Sequence, residues 1–169
     1  MIDPADLIDL LAVESYAVSA AFRRHGDALA VPTGQSQARW QVLRVASTGT
    51  FTVPQIARRL GVSRQNVQRI ANALVAEALA HYADNPDHKS SPHLVLAAAG
   101  RAVLRKLSDR ARDYRALLAK EGRDLDLATL LRQMKTLSAA LTKIDDDVLA
   151  LAAAPGRAAP KAGRTRRAG

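Results

Sequence analysis

Apolar residues recur at helical spacing through six stretches of the chain, and short strand-like runs fall between them. Leu7, Leu10, Leu11, Ala17, Val18 and Ala21 form a first long stripe, interrupted by Glu14. Asp3 followed by Pro4 starts this helix, since Asp can cap it and Pro suits the first helical position. It should end between Arg24 and Ala30, before the turn cluster Val31-Pro32-Thr33-Gly34. Ser36 caps a second helix through Trp40, Leu43 and Ala46, which closes at Ser47-Thr48-Gly49. Phe51 and Thr52 make a minimal strand. Thr52 and Gln55 then fit a capping box for a third helix, with Val53, Ile56, Ala57 and Leu60 on one face. Gly61 stops it, because a residue without a Cβ takes the left-handed conformation at a helix end. Ser63 caps a fourth helix with Val67, Ile70, Ala71 and Leu74 inward.

Two strand candidates, Leu79 to Tyr82 and His93 to Leu96, flank a turn region from Asn85 to Pro92. They make a β-hairpin wing. A long helix runs from Ala97 to about Glu121 on Val103, Leu104, Leu107, Ala111, Tyr114 and Leu118, and Gly122 ends it. Asp124 should cap one last helix. Its apolar set, Leu127, Leu130, Met134, Leu137, Leu141, Ile144, Val148 and Leu151, alternates steps of three and four. Such a seam must bury against the preceding helix, the first helix or a second copy of the chain.

The polar side of the fourth helix changes the picture most. Arg64, Gln65, Gln68, Arg69 and Asn72 follow one another at steps of one, three, one and three, with no carboxylate before Glu77. Arg pairs bidentately with guanine, and Gln or Asn with adenine, in a major groove. The third and fourth helices then read as a helix-turn-helix with the fourth as recognition helix. The same spacing fits a plain amphipathic helix with a solvated face, but solvated faces usually mix both signs of charge. Ser63 and Asn72 can bond phosphates. His88 and Lys89 are the wing residues able to reach a minor groove or its phosphates; the loop also fits an ordinary hairpin.

Composition narrows the alternatives. Of 169 residues, 48% are hydrophobic but only 4% aromatic, so the core is Leu, Val, Ile and Ala, which favours helices. No apolar run approaches the ~18 residues that span a membrane. Asp3, Asp6 and Asp9 stand where a signal peptide would be positive, so a cytoplasmic, nucleoid-associated protein is expected. The absence of cysteine excludes disulfides, thiolate metal sites and a cysteine-based sensor. The net charge of +9 is unevenly placed. Residues 1–35 carry −3, 36–100 carry +4, 101–151 carry +3 and 152–169 carry +5. This distribution suits a polyanion, although a high-GC genome also enriches Arg.

No Cys nucleophile, Gly-rich phosphate loop or metalloprotease motif is present, and His25, His81, His88 and His93 lack ligand-like spacing with carboxylates. Consecutive Asp145, Asp146 and Asp147 point in different directions on a helix and read as a solvated helix end. No metal, cofactor or catalytic residue is expected.

Taken in order, the elements resemble the MarR family of winged helix-turn-helix transcriptional regulators. The matching residues are Gln37 to Leu43, Thr52 to Leu60, Gly61 to Arg69, Asn72-Ala73-Leu74 and the Asp84 to Lys89 wing. The likeness spans roughly residues 5 to 150. It implies a mainly α fold: a winged helix-turn-helix with a small β-hairpin wing and an N- and C-terminal helical dimerisation region. The corresponding divisions are an N-terminal dimerisation helix in 1–35, the DNA-binding domain in 36–100, C-terminal dimerisation helices in 101–151 and a disordered basic tail in 152–169. The resemblance further implies a homodimer gripping a pseudo-palindromic operator in double-stranded DNA, and release in many relatives by a small aromatic or phenolic effector. Tyr16, Phe22, His25, Trp40 and Arg44 lie on the helices that bracket the family's ligand crevice. For Trp40 core packing competes with ligand contact, and for His25 a solvated helix end does. Two positions depart from the family pattern. His88, Lys89 and Ser90 follow Asp87 where one or two Arg are usual, and Lys lacks the planar fork of Arg. Leu96-Ala97-Ala98-Ala99-Gly100 lacks the usual Thr, a missing cap that costs ~1 kcal/mol. The competing reading is a nucleoid-associated, architectural protein that coats DNA with little sequence preference.

Overall fold

The structure is a computed structural model, described here for residues 3–153. The basic tail expected over 152–169 lies outside the described residues from position 154 on. The chain divides between Ala119 and Lys120 into two compact units.

The first unit opens with helix α1, Pro4–Ala30. Asp3 caps it by accepting a hydrogen bond from the Ala5 amide at 2.9 Å. A single 3-10 turn, Val31–Thr33, leads to Gly34, whose φ of 70° needs glycine's freedom. Helix α2, Gln37–Ala46, starts at Ser36, whose hydroxyl accepts from the Arg39 amide. The Asp27 carboxylate adds a second cap, accepting from the Gln37 amide at 2.7 Å. Strand β1, Phe51–Thr52, runs into helix α3, Val53–Leu60. Helix α4 is Arg64–Ala76, and strands β2, Ala80–Ala83, and β3, His93–Leu96, follow. Helix α5, Ala98–Glu121, completes this unit and crosses its boundary by two residues.

The three strands form one antiparallel sheet in the order β1-β3-β2. Leu94 faces Phe51 on one side and Tyr82 on the other. The hairpin wing is therefore anchored at its base by the strand that precedes α3. That pairing of β1 with β3 was not part of the sequence expectation. A two-residue strand carries too little pattern to announce its partner.

The core lies where α2, α3, α4, β3 and α5 converge. Leu43, Ile56, Leu74, Leu94 and Leu107 are fully buried. Burial of each such side chain contributes about 1.5–3 kcal/mol. Trp40 packs against this cluster. The outer part of α1 is different: Leu7, Ile8, Leu10, Leu11 and Val13 are all exposed.

In the second unit, helix α6 spans Leu127–Lys143 and helix α7 spans Asp145–Ala153. Two expectations are corrected here. The cap of α6 is Asp126, not Asp124: Asp126 accepts from the amides of Ala128 and Thr129 at 3.1 and 3.0 Å. Asp124 sits in the turn closed by the Leu125 amide on the Gly122 carbonyl. The single last helix is also broken, at Ile144. Asp145, Asp146 and Asp147 form the first turn of α7. Negative charge is favoured at a helix N-terminus and opposed near a C-terminus, so a new start suits this triplet. The seam from Leu127 to Leu151 is exposed along its length. Among the described residues no group of three or more metal-ligating side chains occurs, and no helix is long and apolar enough to cross a membrane.

Candidate nucleic-acid interface

The candidate surface is built by two short helices held at a fixed turn. Thr52 and Gln55 complete the expected capping box: the Gln55 amide donates to Thr52 Oγ1, and the Thr52 amide donates to Gln55 Oε1 at 2.8 Å. Gly61 closes α3 at φ 63°. The Val62 amide then returns to the Ala57 carbonyl. Ser63 Oγ accepts from the Asn66 amide at 3.2 Å and so starts α4. Val67, Ile70, Ala71 and Leu74 are buried, as their spacing required.

This burial turns the opposite side of α4 outward. Ser63, Arg64, Gln65, Arg69 and Asn72 are exposed, and Gln68 is half-buried. No acidic residue lies within the helix itself; Glu77 follows as its C-cap. Glu77 does not face outward as an unpaired charge. Both of its carboxylate oxygens accept from the Arg39 guanidinium of α2. Arg39 Nε also donates to Gln35 Oε1 at 2.8 Å. Those hydrogen bonds, and the charge of Arg39, hold the Glu77 carboxyl below its usual pKa against an opposing desolvation effect. The only carboxylate at the end of the helix is thereby neutralised.

Two contacts on this face were not foreseen. Arg69 Nη2 donates to Asn66 Oδ1 at 3.0 Å, one turn back on the same helix. Tyr82, on β2, bonds both Gln68 and Asn72 through its hydroxyl, at 2.8 Å in each case. The sequence offered a signal only for the first, an i, i+3 pair. Burial pushes the Tyr82 hydroxyl pKa up, partly offset by the Gln68 bond.

In the wing, Asn85 is buried and organises the loop. Its Nδ2 donates to the Ser91 carbonyl, and its Oδ1 accepts from the Asp87 amide. His88 and Lys89 are exposed at the tip, with His88 Nδ1 3.1 Å from Ser90 Oγ. A second basic group flanks α3: Arg58 and Arg59 are exposed, and the Arg59 guanidinium stacks 4.1 Å from the Phe51 ring centre.

The residues expected at an effector crevice differ in exposure and in partners. Tyr16 is 78% exposed and Phe22 49%. His25 Nδ1 lies 3.3 Å from the Tyr114 hydroxyl, with the two rings edge to face. Trp40 belongs to the core periphery and Arg44 is exposed. A hollow beside the 3-10 turn is lined by Pro32, Thr33, Val103, Lys106, Asp109 and Arg110.

Comparison with known proteins agrees with this architecture. A MarR family model matches residues 33–89, which hold α2 through the wing tip. Uncharacterized proteins of Mycobacterium tuberculosis and Mycobacterium bovis are 49% identical over 107 residues, covering 63% of this chain and 75% of theirs. Among solved structures, the transcriptional regulator BldR of Sulfolobus solfataricus aligns with a TM-score of 0.68 at 15% identity, over 83% of this chain and 99% of that one. The Mycobacterium tuberculosis regulator MosR in complex with DNA gives 0.64 at 20% identity, over 79% and 97%. A mutant MarR of E. coli complexed with operator DNA gives 0.63 at 19% identity, over 80% and 99%. Likenesses at these identities establish the fold.

Proposed function

The chain belongs to the MarR family of transcriptional regulators, and we propose that it is a repressor that binds double-stranded DNA as a homodimer on a pseudo-palindromic operator. The observation that carries this reading is the outward side of α4, with its arginines and amides exposed and its flanking carboxylate tied up by Arg39. Arg64, Gln65, Gln68 and Arg69 face base edges or nearby phosphates. Ser63 and Asn72 meet phosphates, and His88 and Lys89 anchor the wing. The fold supports it too, since the similar MosR and MarR structures are described as DNA complexes. Helices α1, α5, α6 and α7 supply the dimerisation region, and binding over a promoter excludes polymerase.

Selection from a random DNA pool tests the reading. The recovered sites should share a two-fold motif with half-sites one helical turn apart. They should be preferred over random duplex by ~10³ or more at physiological salt. A ratio near unity would instead favour the architectural reading. Arg69→Ala should cost about 1–3 kcal/mol on the selected site if the guanidinium reads a guanine. Equal weakening on random duplex would make Arg69 a phosphate contact. Release by a small aromatic or phenolic compound belongs to the same proposal. A calorimetric titration with salicylate that yields no heat, with operator affinity unchanged, would remove it.

A further inference from the structure

Tyr82 lies outside the helix that carries the candidate DNA contacts, yet its hydroxyl meets two of them, Gln68 and Asn72. Gln68 Nε2 donates to the Tyr82 hydroxyl and to Asn72 Oδ1, at 2.8 and 2.9 Å. The Tyr82 hydroxyl in turn donates to Asn72 Oδ1 at 2.8 Å. The three groups close a ring. Both protons of the Gln68 amide nitrogen are used, and both lone pairs of the Asn72 oxygen. Among the described residues nothing else bonds Gln68 Oε1 or Asn72 Nδ2, so these are the atoms the ring leaves for a ligand.

An isolated Gln or Asn on a helix can rotate its amide to offer either a donor or an acceptor, and so tolerates more than one base edge. Here, rotating one amide alone breaks two of the three bonds. Only a joint reversal keeps the ring closed. The bond between Gln68 and Asn72 alone would be a weak i, i+4 contact on an exposed helix face. The hydroxyl makes the difference: a phenol is protonated and able to donate at neutral pH, and burial raises its pKa further. We propose that Tyr82 is a specificity-determining positioning residue: from the base of the wing it couples the orientations of the Gln68 and Asn72 amides, so that the base contact of Gln68 and the phosphate contact of Asn72 are set together. This rests on the reading of α4 as the recognition helix.

The test compares wild type, Tyr82→Phe and Gln68→Ala on the selected operator and on every single-base variant of it. Tyr82→Phe keeps the ring that packs in the fold and removes only the oxygen. It should leave affinity for random duplex and its salt dependence unchanged. It should flatten base preference about tenfold, at the positions in each half-site that Gln68→Ala also flattens. A Tyr82→Phe profile identical to wild type, or a uniform loss at all positions, overturns the inference and leaves the DNA-binding reading standing. A flat wild-type profile defeats that reading first and the inference with it. Magnetic resonance on the free wild-type protein gives an independent measure. The Gln68 side-chain amide protons should exchange with water more slowly than those of exposed Gln65, and equal rates overturn the ring.

Discussion

Ala78 holds φ at 56°, a left-handed conformation that a side chain resists. It does so because the chain must reverse between α4 and β2. The Leu79 amide returns to the Leu74 carbonyl at 2.9 Å, and the Ala78 amide to Val75. This is the helix-end pattern in which glycine is preferred. Ala78→Gly should therefore raise stability by about 0.5–1 kcal/mol, since strain relief outweighs the entropy cost of glycine. Denaturant melts would show it as a higher midpoint at unchanged slope. Gly100 is the opposite case. A Cβ there would meet the Leu79 carbonyl oxygen at 2.0 Å, where α5 starts against that backbone. Gly100→Ala should destabilise by about 1–3 kcal/mol or more, because the obstacle is main chain and cannot step aside. Most residue-scale features divide by range, the Asp126 cap expected at Asp124 being a local exception. The caps at Ser36, Thr52 and Ser63 were legible because cap and capped amide lie within three residues. Tyr82 was not legible as part of the proposed DNA-facing surface, because it meets Asn72 across ten residues and a turn. The Gly100 contact was hidden for the same reason.

At the scale of elements, the periodicity of buried positions located the helices of the DNA-binding half, and the turn residues located their ends. The last helix failed because its apolar spacing continues through Ile144 while its charge pattern restarts there. The acidic triplet reads from sequence as the solvated end of that one helix, whereas it forms the first turn of the next. Between elements, the Arg39–Glu77 pair joins the start of α2 to the end of α4. The Glu77 carboxyl titrates below its ordinary 4.5 in the folded protein. A depressed carboxyl adds stability above its unfolded pKa and loses that contribution as pH falls through the folded value. Glu77 is 49% exposed, so solvent screening keeps the coupling at ~1 kcal/mol or below. A double-mutant cycle of Arg39→Ala and Glu77→Gln should find this coupling at pH 7. It should find it fading as pH drops below 4.5. A coupling that persists at low pH would mean that the two side chains are joined by packing and not by charge.

For the whole molecule, the decisive feature is apolar surface that the single chain leaves in water. Leu127, Met134 and Leu141 of α6 are each 53% exposed, and Ile8 of α1 is 65% exposed. Apolar exposure repeated along one helix face, as on α6, marks an interface more often than a solvated face. The periodic seam was plain in the sequence, but no sequence pattern says which surface covers it. A second copy is the cover that also serves the proposed function, since a two-fold pair presents two copies of α4 to successive turns of one duplex. Replacing Met134 and Leu141 by Lys puts two charges into that seam without removing the helix-forming tendency of α6. The expected result is a solution mass that falls from two chains to one by light scattering, with helical circular dichroism retained. Affinity for the selected operator should fall far more than affinity for random duplex, because phosphate attraction survives in a monomer while the paired half-sites do not. A variant that keeps the wild-type mass would place the interface on other residues. A wild-type protein that is already a single chain would remove the two-fold reader altogether.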